Sequence, residues 1–508
     1  MNPTTRRLAP LVGAVLVLPF ADGVDSVPLA AFVAPVLLLR FARTHRARVA
    51  LPILFVVVAA AMALQFRGMI PLSGAVYFAV LAVYGLRLVA PYAVDAVLGP
   101  RLGDGAARLF LFPVVATALE LCGSYGPFGT WGNIAYSQYG NLALTQLLSV
   151  TGLWGLDFVI YAAAPVVNRL WEQGATAPVL RDVGIYGGAM ALLFLLGGAR
   201  LVLASPPKKT VRIAALTHAT VDGEPESSVW RHLIDGTLND TERATFIQWA
   251  RAIDDDLLRR ADREAAAGAE LVFWDETGAP VLAADEAALV AAGSELAARR
   301  HIYLGMALGT WTPGASHPLA NKLVFIGPDG RVAWTYHKAH PVLGSESAVV
   351  ANGDGILRAS DTPLGRISAI ICHDADHPRL LRQAGTLGAA IVLDPSEDWR
   401  ALDPWHTEMA SFRAIEEGVT LVRHTNMGRS AVYDPHGVQL ASIDHFQSRE
   451  RVLVAEVPTT GIRTLYSQLG DWLGWLCVAA TIALVVEALR RRGQARVADE
   501  GRQAATAA

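Results

Sequence analysis

The chain has 508 residues, of which 53% are hydrophobic and 18% charged, and its formal net charge is −3. The hydrophobic fraction lies above that of an ordinary soluble domain, about 45–50%, so a membrane component is expected. The charge balance excludes a basic nucleic-acid-binding surface. Three cysteines are too few for a disulfide framework.

Apolar runs long enough to cross about 30 Å of hydrocarbon recur along the chain. They predict eight membrane spans, seven within residues 1–207 and one within 467–492. The predicted spans are 8–21, 27–41, 49–66, 70–90, 108–123, 147–168, 183–203 and 473–489. The first run follows two arginines, as in a signal peptide, but it lacks a small-residue cleavage site followed by a polar start. It is therefore predicted to be a helix.

Arginines cluster in the loops on one side of these predicted spans. The clusters are at residues 6–7, 40–48, 87–108, 169–181 and 490–492. Because positive loops stay inside, that side is expected to be cytoplasmic. Eight spans then place both termini inside and the polar segment 208–466 outside. The chain is expected in the plasma (inner) membrane, with 493–508 as a disordered cytoplasmic tail.

The polar segment alternates short apolar runs with amphipathic ones, which is typical of an α/β domain. Strands are predicted at 211–216, 270–274, 301–308, 322–326, 331–336, 366–372, 389–393, 419–424 and 452–457. Helices are predicted at 241–267, 285–300, 378–387 and 405–417. Turn signals at 327–330 (GPDG) and 434–437 (DPHG) join antiparallel pairs. The pattern predicts a mixed-sheet α/β sandwich.

Three reactive side chains stand at the ends of predicted strands, namely Glu276, Lys338 and Cys372. Catalytic groups gather at such strand ends. A thiolate can attack an acyl carbon, a carboxylate can take the thiol proton, and an ammonium group can stabilise the oxyanion. These three side-chain types are sufficient for acyl transfer.

Other interpretations of these residues stay open from spacing alone. Buried cysteines are common as small apolar side chains, and Glu or Lys at strand ends is often solvated. The run at 372–377 (CHDADH) also contains metal-ligating types, although contiguous residues rarely supply tetrahedral geometry. The ordinary expectation is that Asp376 or His377 caps the following helix and that His373 lines the pocket.

The motifs Phe-Trp-Asp-Glu at 273–276, Tyr-His-Lys at 336–338 and Ile-Cys-His-Asp at 371–374 resemble the Glu-Lys-Cys signature of the nitrilase superfamily. Seven spans, a polar domain and a last span resemble its membrane-bound branch, the apolipoprotein N-acyltransferases. The resemblance covers nearly the whole chain. It implies a membrane α-helical bundle of about eight transmembrane helices and a nitrilase-like αββα sandwich.

Further stretches carry the same resemblance and imply supporting residues. Glu346 falls where the family has a second carboxylate, which implies that it orients Lys338 or assists the proton relay. Residues 409–428 resemble the helix and strand that follow the family's cysteine. Trp399 and Asn426, together with His373 and Asp374 beside the cysteine, are predicted to be supporting or substrate-binding residues.

The family's reaction implies a role for each member of the trio. Glu276 takes the thiol proton, Cys372 attacks a phospholipid acyl ester, and Lys338 stabilises the oxyanion. The resulting thioester is implied to acylate the N-terminal amine of a diacylglyceryl-cysteine lipoprotein, without metal or organic cofactor. A membrane-tethered amidase that uses water as acceptor and an inactive lipoprotein-binding scaffold are the alternatives.

Several positions depart from the family pattern around the expected pocket. His373 and Asp374 stand where the family has an aromatic residue and then glutamate. Residues 395–399 (PSEDW) replace a Ser-Asn-Asp-x-Trp turn, and 274–276 (WDE) replaces Trp-Pro-Glu. The departures bear on the substrate rather than on the fold.

Overall fold

A computed structural model describes the backbone of residues 3–507 and the side chains of residues 7–492 and 494. The chain forms two compact units. The first comprises Met1–Gly126, Thr130–Val202 and Asp471–Ala508, and the second comprises Pro127–Gly129 and Leu203–Gly470.

The first unit is helical. Its helices are α1 (Pro3–Val17), α2 (Pro28–Thr44), α3 (Ala47–Gln65), α4 (Gly74–Leu102), α5 (Ala106–Gly123), α6 (Leu142–Thr145), α7 (Leu148–Thr151), α8 (Leu153–Gln173), α9 (Ala177–Val202) and, at the end of the chain, α16 (Trp472–Ala507). Helix α5 packs against α8, α4 and α16. Because these helices are apolar over most of their surface, they suit a membrane interior.

The number of spans is smaller by length and composition than the predicted eight. Within the described residues, α3, α4, α5, α9 and the first part of α16 are long and apolar enough to cross a membrane. The pair 142–151 and α8, bent by 120°, raises the number to six if it is one span. A helix lies at each of the eight predicted positions, but α1 and α2 are short. The count of eight therefore stays a prediction.

Two expectations for the membrane unit are wrong. Arg87, which was counted with a cytoplasmic loop, lies inside α4 and pairs with Glu120 of α5 at 3.0 Å. The hydroxyl of Tyr161 also donates to Glu120, because a charge among apolar helices needs partners. The tail expected to be disordered continues α16 to Ala507, since its Ala, Arg, Glu and Gln are strong helix formers.

The second unit contains two sheets. Its strands are β1 (Thr210–Leu216), β2 (Leu271–Trp274), β3 (Ala279–Leu282), β4 (Tyr303–Trp311), β5 (Leu319–Ile326), β6 (Val332–His337), β7 (Ala359–Thr362), β8 (Gly365–Ala369), β9 (Ile391–Glu397), β10 (Thr420–Asn426), β11 (Arg429–Tyr433), β12 (Gln439–Asp444) and β13 (Val452–Pro458). One sheet has the order β13-β1-β2-β4-β5-β6, with β3 beside β4, and the other has the order β12-β11-β10-β9-β8-β7. Both mix parallel and antiparallel pairs, as predicted.

Helices cover the outer faces of both sheets. They are α10 (Ser227–Asp235), α11 (Asp240–Ala266), α12 (Glu286–Arg300), α13 (Pro378–Leu387), α14 (Trp405–Glu417) and α15 (Leu465–Leu469). Helices α11 and α12 pack on the first sheet, and α14 packs on the second. The inner faces meet where the ring of Phe273 on β2 contacts His424 on β10. The unit is therefore the expected αββα sandwich.

All nine predicted strands and four predicted helices of this unit exist, with shifted ends at several of them. The main shift concerns the nucleophile, because β8 ends at Ala369 and Cys372 begins a short 3-10 turn, Cys372–Asp376. Helix α13 begins at Pro378 as predicted, since proline suits a first helical position. The short strands β3 and β7 were not predicted, because four residues carry little periodicity. Strands β11 and β12 were indicated only by the turn signal at 434–437.

Candidate active site

The ends of β2, β6 and β8 bring the three predicted catalytic residues into one buried site. Glu276 lies two residues past β2, Lys338 directly follows β6, and Cys372 lies three residues past β8. Their exposed fractions are 3%, 1% and 3%. Two strands belong to one sheet and the third to the other, so the site lies where both sheets end.

Glu276 is held in place by three hydrogen bonds. Its Oε1 accepts from the Lys338 ammonium and from the Asn321 amide, both at 2.7 Å. Its Oε2 accepts from the backbone N–H of Glu397 at 2.8 Å. The carboxylate is thus fixed from both sheets, since Asn321 belongs to β5 and Glu397 ends β9.

Lys338 lies between two carboxylates. Its Nζ donates to Glu276 and, at 2.8 and 2.6 Å, to both oxygens of Glu346. Glu346 is itself anchored, because its Oε2 accepts from the backbone N–H of Val342 at 2.7 Å. The contact predicted between Glu346 and Lys338 is therefore present.

Cys372 sits in a strained turn. Its φ is +52°, a left-handed conformation that costs a non-glycine residue about 1–3 kcal/mol. Its backbone N–H donates to Asp394 Oδ1 at 2.9 Å, which holds the turn, and its Sγ lies 3.8 Å from the carbonyl oxygen of Glu397. Glu397 therefore contacts both the thiol and the carboxylate of Glu276.

Electrostatics define the resting protonation of the trio. Burial raises the pKa of the Cys372 thiol well above its ordinary value, and Glu276 raises it further against the attraction of Lys338. Burial also raises the pKa of Glu276, although Lys338 opposes this shift. For Lys338, burial lowers the pKa, but the attraction of Glu276 and Glu346 outweighs it and leaves the pKa well above its ordinary value. Cys372 thus rests as a thiol that needs a base, beside a permanent cation.

Asp374, which departs from the family pattern, joins the turn of Cys372 to the segment after Lys338. Its Oδ2 accepts from the Tyr336 hydroxyl at 2.7 Å and from the Ile371 backbone N–H at 3.1 Å. Its Oδ1 accepts from the His340 backbone N–H at 2.8 Å. A fully buried carboxylate with these donors connects the ends of β6 and β8.

His373 is 2% exposed, about as buried as the three catalytic candidates, and its place in the lining of the pocket stays a prediction. Its Nδ1 contacts Asp376 Oδ2 at 2.7 Å, and its Nε2 contacts the carbonyl oxygen of Pro127 at 3.1 Å. The capping prediction is wrong: His377 occupies the N-cap of α13, but its side chain makes no cap hydrogen bond there. Asp376 is engaged by His373 and His406 instead.

A buried charged network behind Cys372 was not predicted from the sequence. Arg423 of β10 donates to Asp394 Oδ2 at 2.8 Å and to Asp398 Oδ1 at 3.2 Å. His406 of α14 contacts Asp398 at 2.6 Å and Asp376 at 3.0 Å. The arginine inside the apolar run 419–424 was the available signal, because a charge in a buried strand needs partners.

This network contains side chains that could ligate a metal. The Cys372 sulfur, one Asp398 oxygen and one His406 nitrogen lie within 4.8 Å of one another. The same oxygens and nitrogens are already joined in ion pairs with one another and with Arg423. A metal ion would have to replace these ion pairs beside a buried guanidinium, so the donor set fits a metal poorly.

Two further predicted residues lie near the site. Asn426 ends β10, and its carbonyl oxygen accepts from the backbone N–H of Asp398 at 2.9 Å. Trp399 is half-buried and lies two residues past Glu397. Substrate-binding roles for Trp399 and Asn426 stay predictions.

The chain matches two family models in separate parts. The carbon-nitrogen hydrolase model matches residues 232–466. The model for the apolipoprotein N-acyltransferase N-terminal domain matches residues 12–166. Together with the αββα sandwich, the first match makes the polar domain a member of the carbon-nitrogen hydrolase class.

Relatives are similar to this chain beyond the polar domain. An apolipoprotein N-acyltransferase of Geobacter metallireducens is 28% identical over 414 residues, which cover 76% of this chain and 75% of the relative. Apolipoprotein N-acyltransferase 2 of Treponema pallidum is 26% identical over 422 residues, with coverages of 73% and 74%. The similarity to apolipoprotein N-acyltransferases thus extends over about three-quarters of the chain, which confirms the resemblance. The long apolar helices make the chain a membrane protein.

Among solved structures, an amidase from Nesterenkonia sp. is similar to part of this chain. It is 21% identical and covers 52% of this chain and 95% of the amidase, with a TM-score of 0.39.

Proposed function

We propose that this chain transfers an acyl chain from a phospholipid to the N-terminal amine of a diacylglyceryl-cysteine lipoprotein. The proposal rests above all on the Cys372 turn, where a strained, buried thiol lies beside Glu276 and Lys338. Two relatives that match over about three-quarters of the chain carry the name apolipoprotein N-acyltransferase, which supports the choice of acceptor.

In the first half-reaction, Glu276 takes the proton of the Cys372 thiol and the thiolate attacks the ester carbonyl of the phospholipid. Lys338 donates to the oxyanion of the tetrahedral intermediate. The C–O bond then breaks, Glu276 returns the proton to the leaving alkoxide, and a lysophospholipid departs. Cys372 is left as a thioester.

In the second half-reaction, the lipoprotein amine attacks the thioester carbonyl. Glu276 accepts one amine proton, the C–S bond breaks, and the proton returns to the sulfur of Cys372. An amide bond has formed and the free thiol is restored. None of these steps uses a cofactor.

Mass spectrometry of lipoprotein N-terminal peptides tests this function. Cells that lack the gene should lose the N-linked acyl chain, and the wild-type gene should restore it while Cys372→Ala should not. If the peptides are unchanged in the deletion strain, a lipoprotein amine is not the acyl acceptor. A carboxylic acid and an amine released from an amide by the pure enzyme, with no acylated lipoprotein amine, would favour the amidase alternative.

We further propose the topology that the arginine distribution predicts, with segment 208–466 extracytoplasmic and both termini cytoplasmic. Asp329 and Asp104 are exposed positions, in the polar segment and in the loop before α5. In intact cells whose outer membrane has been made permeable, an impermeant maleimide should label Asp329→Cys and spare Asp104→Cys. The reverse labelling would overturn this orientation.

A further inference from the structure

His406 lies deep behind Cys372 and is 3% exposed. Its Nδ1 lies 2.6 Å from Asp398 Oδ1 and its Nε2 lies 3.0 Å from Asp376 Oδ2. A neutral imidazole has one N–H and one acceptor nitrogen, so it can donate to only one of these carboxylates. Only an imidazolium can donate to both carboxylates, and the 2.6 Å contact of Nδ1 with Asp398 is shorter than its 2.8 Å contact with Nη2 of Arg423.

The charges around His406 also favour its protonated form. Burial lowers its pKa and so does Arg423, whose Nη2 lies 2.8 Å from Nδ1. The attraction of Asp398 and Asp376 outweighs both and raises the pKa of His406 to about 9. Two buried cations are thus held against the carboxylates of Asp376, Asp394 and Asp398.

A continuous chain of hydrogen bonds runs from His406 to the nucleophile. His406 donates to Asp398, Arg423 donates to both Asp398 and Asp394, and Asp394 accepts from the backbone N–H of Cys372. The last bond holds the residue whose φ is +52°. One ring nitrogen of His406 also lies within 4.8 Å of the Cys372 sulfur.

We propose that His406 is a positioning residue for Cys372: as a buried imidazolium it fixes Asp398 and Arg423, and through Asp394 the strained turn, and it adds positive charge beside the sulfur when the thiolate forms. The inference rests on the proposed role of Cys372 as the nucleophile. The groups that face the sulfur from the other strand ends are Glu276 and Lys338.

Loss of the imidazolium should raise the pKa of the Cys372 thiol. Without it, Asp376 and Asp398 keep their negative charge close to Cys372 while one compensating cation is gone. The thiolate is then less stable relative to the thiol, so the thiol must titrate at higher pH.

The test is the pH profile of Cys372 alkylation by iodoacetamide in the full-length enzyme in detergent, followed by mass spectrometry of the Cys372 peptide. His406→Gln should move the midpoint up by at least one pH unit, which makes alkylation about tenfold slower below both midpoints. His424→Gln is the matched control. His424 is also buried and adjoins Arg423 in sequence, but its Nε2 contacts Thr217, so the profile should stay in place.

His406→Asn provides a second variant if His406→Gln fails to fold. It removes the same cation with a shorter amide side chain, so the midpoint should move up by a similar amount. A folded His406→Gln with an unchanged profile would overturn the inference, as would an unchanged His406→Asn profile if only that variant folds. Alkylation needs no lipid, so loss of the proposed acyl transfer would leave this result intact.

Discussion

The backbone N–H of Glu397 donates to Oε2 of Glu276 at 2.8 Å. Glu397 ends β9 in the sheet that carries the Cys372 turn, whereas Glu276 follows β2 in the other sheet. The carbonyl oxygen of Glu397 lies 3.8 Å from the Cys372 sulfur. Glu397 thus contacts both the general base Glu276 and the thiol of Cys372. The catalytic groups are positioned by strand ends from both sheets.

Replacement of the general base should abolish most of the activity without unfolding the protein. Glu276→Gln keeps an acceptor for Lys338 but cannot take a proton, so the rate of Cys372 acylation should fall about 10²–10⁴-fold. Glu286→Gln is the matched control, because Glu286 pairs with Lys322 in the same domain, and among the described residues no hydrogen bond or ion pair joins Glu286 to the trio. Equal losses in both variants would contradict the role of Glu276.

The pH dependence of kcat/KM should report the same base. Glu276 acts only when ionised, and burial raises its pKa above the ordinary value of about 4.3. Activity should therefore increase with pH along an acid limb whose midpoint lies above that value. The limb should be absent from the residual activity of Glu276→Gln. A limb that stays unchanged in the variant would assign it to another group.

Lys338 and Glu346 should contribute unequally. Lys338→Met removes the oxyanion donor and leaves Glu276 and Glu346 without their shared cation, so kcat should fall about 10²–10³-fold or more. Glu346→Gln leaves the pair of Lys338 and Glu276 intact and should cost less. The measurement is the rate of Cys372 acylation in Lys338→Met and in Glu346→Gln, each compared with the wild type. If Glu346→Gln loses as much as Lys338→Met, Glu346 is itself an acid-base group.

Asp374 should make the domain sensitive to acid. Burial raises its pKa, but His340 and Tyr336 outweigh this effect and leave the pKa below its ordinary value. A lowered pKa means that ionised Asp374 stabilises the fold at neutral pH, and that this contribution is lost as the pH falls through the lowered value. Thermal unfolding of the wild type should therefore shift further on acidification than that of Asp374→Asn.

At neutral pH, Asp374→Asn should lower the free energy of unfolding by about 1.5–3 kcal/mol, which is typical of a hydrogen bond to a charged group. Tyr336→Phe removes one of the same bonds and should act in the same direction. Asp361→Asn is the control, because Asp361 is exposed and pairs only at the surface, so its effect should stay within about 0.5 kcal/mol. If Asp374→Asn lowers the free energy of unfolding no more than Asp361→Asn does, Asp374 does not stabilise the connection between the ends of β6 and β8.

Local patterns in the sequence placed three reactive side chains at strand ends, and the resemblance to the nitrilase superfamily was needed to choose them as the catalytic trio. Glu276 and Lys338 each follow an apolar strand, and a helix beginning at Pro378 marks the end of the Cys372 turn. Such signals depend only on residues that are close in sequence, so they can be recognised without knowledge of tertiary contacts. The end of β8 was predicted at Cys372, but the strand ends at Ala369. The left-handed backbone of Cys372 could not be predicted, because apolar periodicity does not depend on φ.

The residues that position the trio could not be predicted in the same way. Asp374 contacts Tyr336 across 38 residues of sequence, and Asp394 contacts Arg423 across 29. Such pairs depend on the register of strands in two sheets, which composition does not specify. In the membrane unit, Arg87 was misplaced for the same reason, because its partner Glu120 belongs to another helix.

The central claim is that Cys372 carries the acyl chain. Full-length enzyme in detergent should be incubated with phospholipid and no amine, quenched in acid and analysed by mass spectrometry. One acyl chain is expected on the Cys372 peptide, removable by hydroxylamine, retained in Cys122→Ser and absent in Cys372→Ala. Acyl transfer that persists in Cys372→Ala, or an acyl chain found on a different residue, would contradict it.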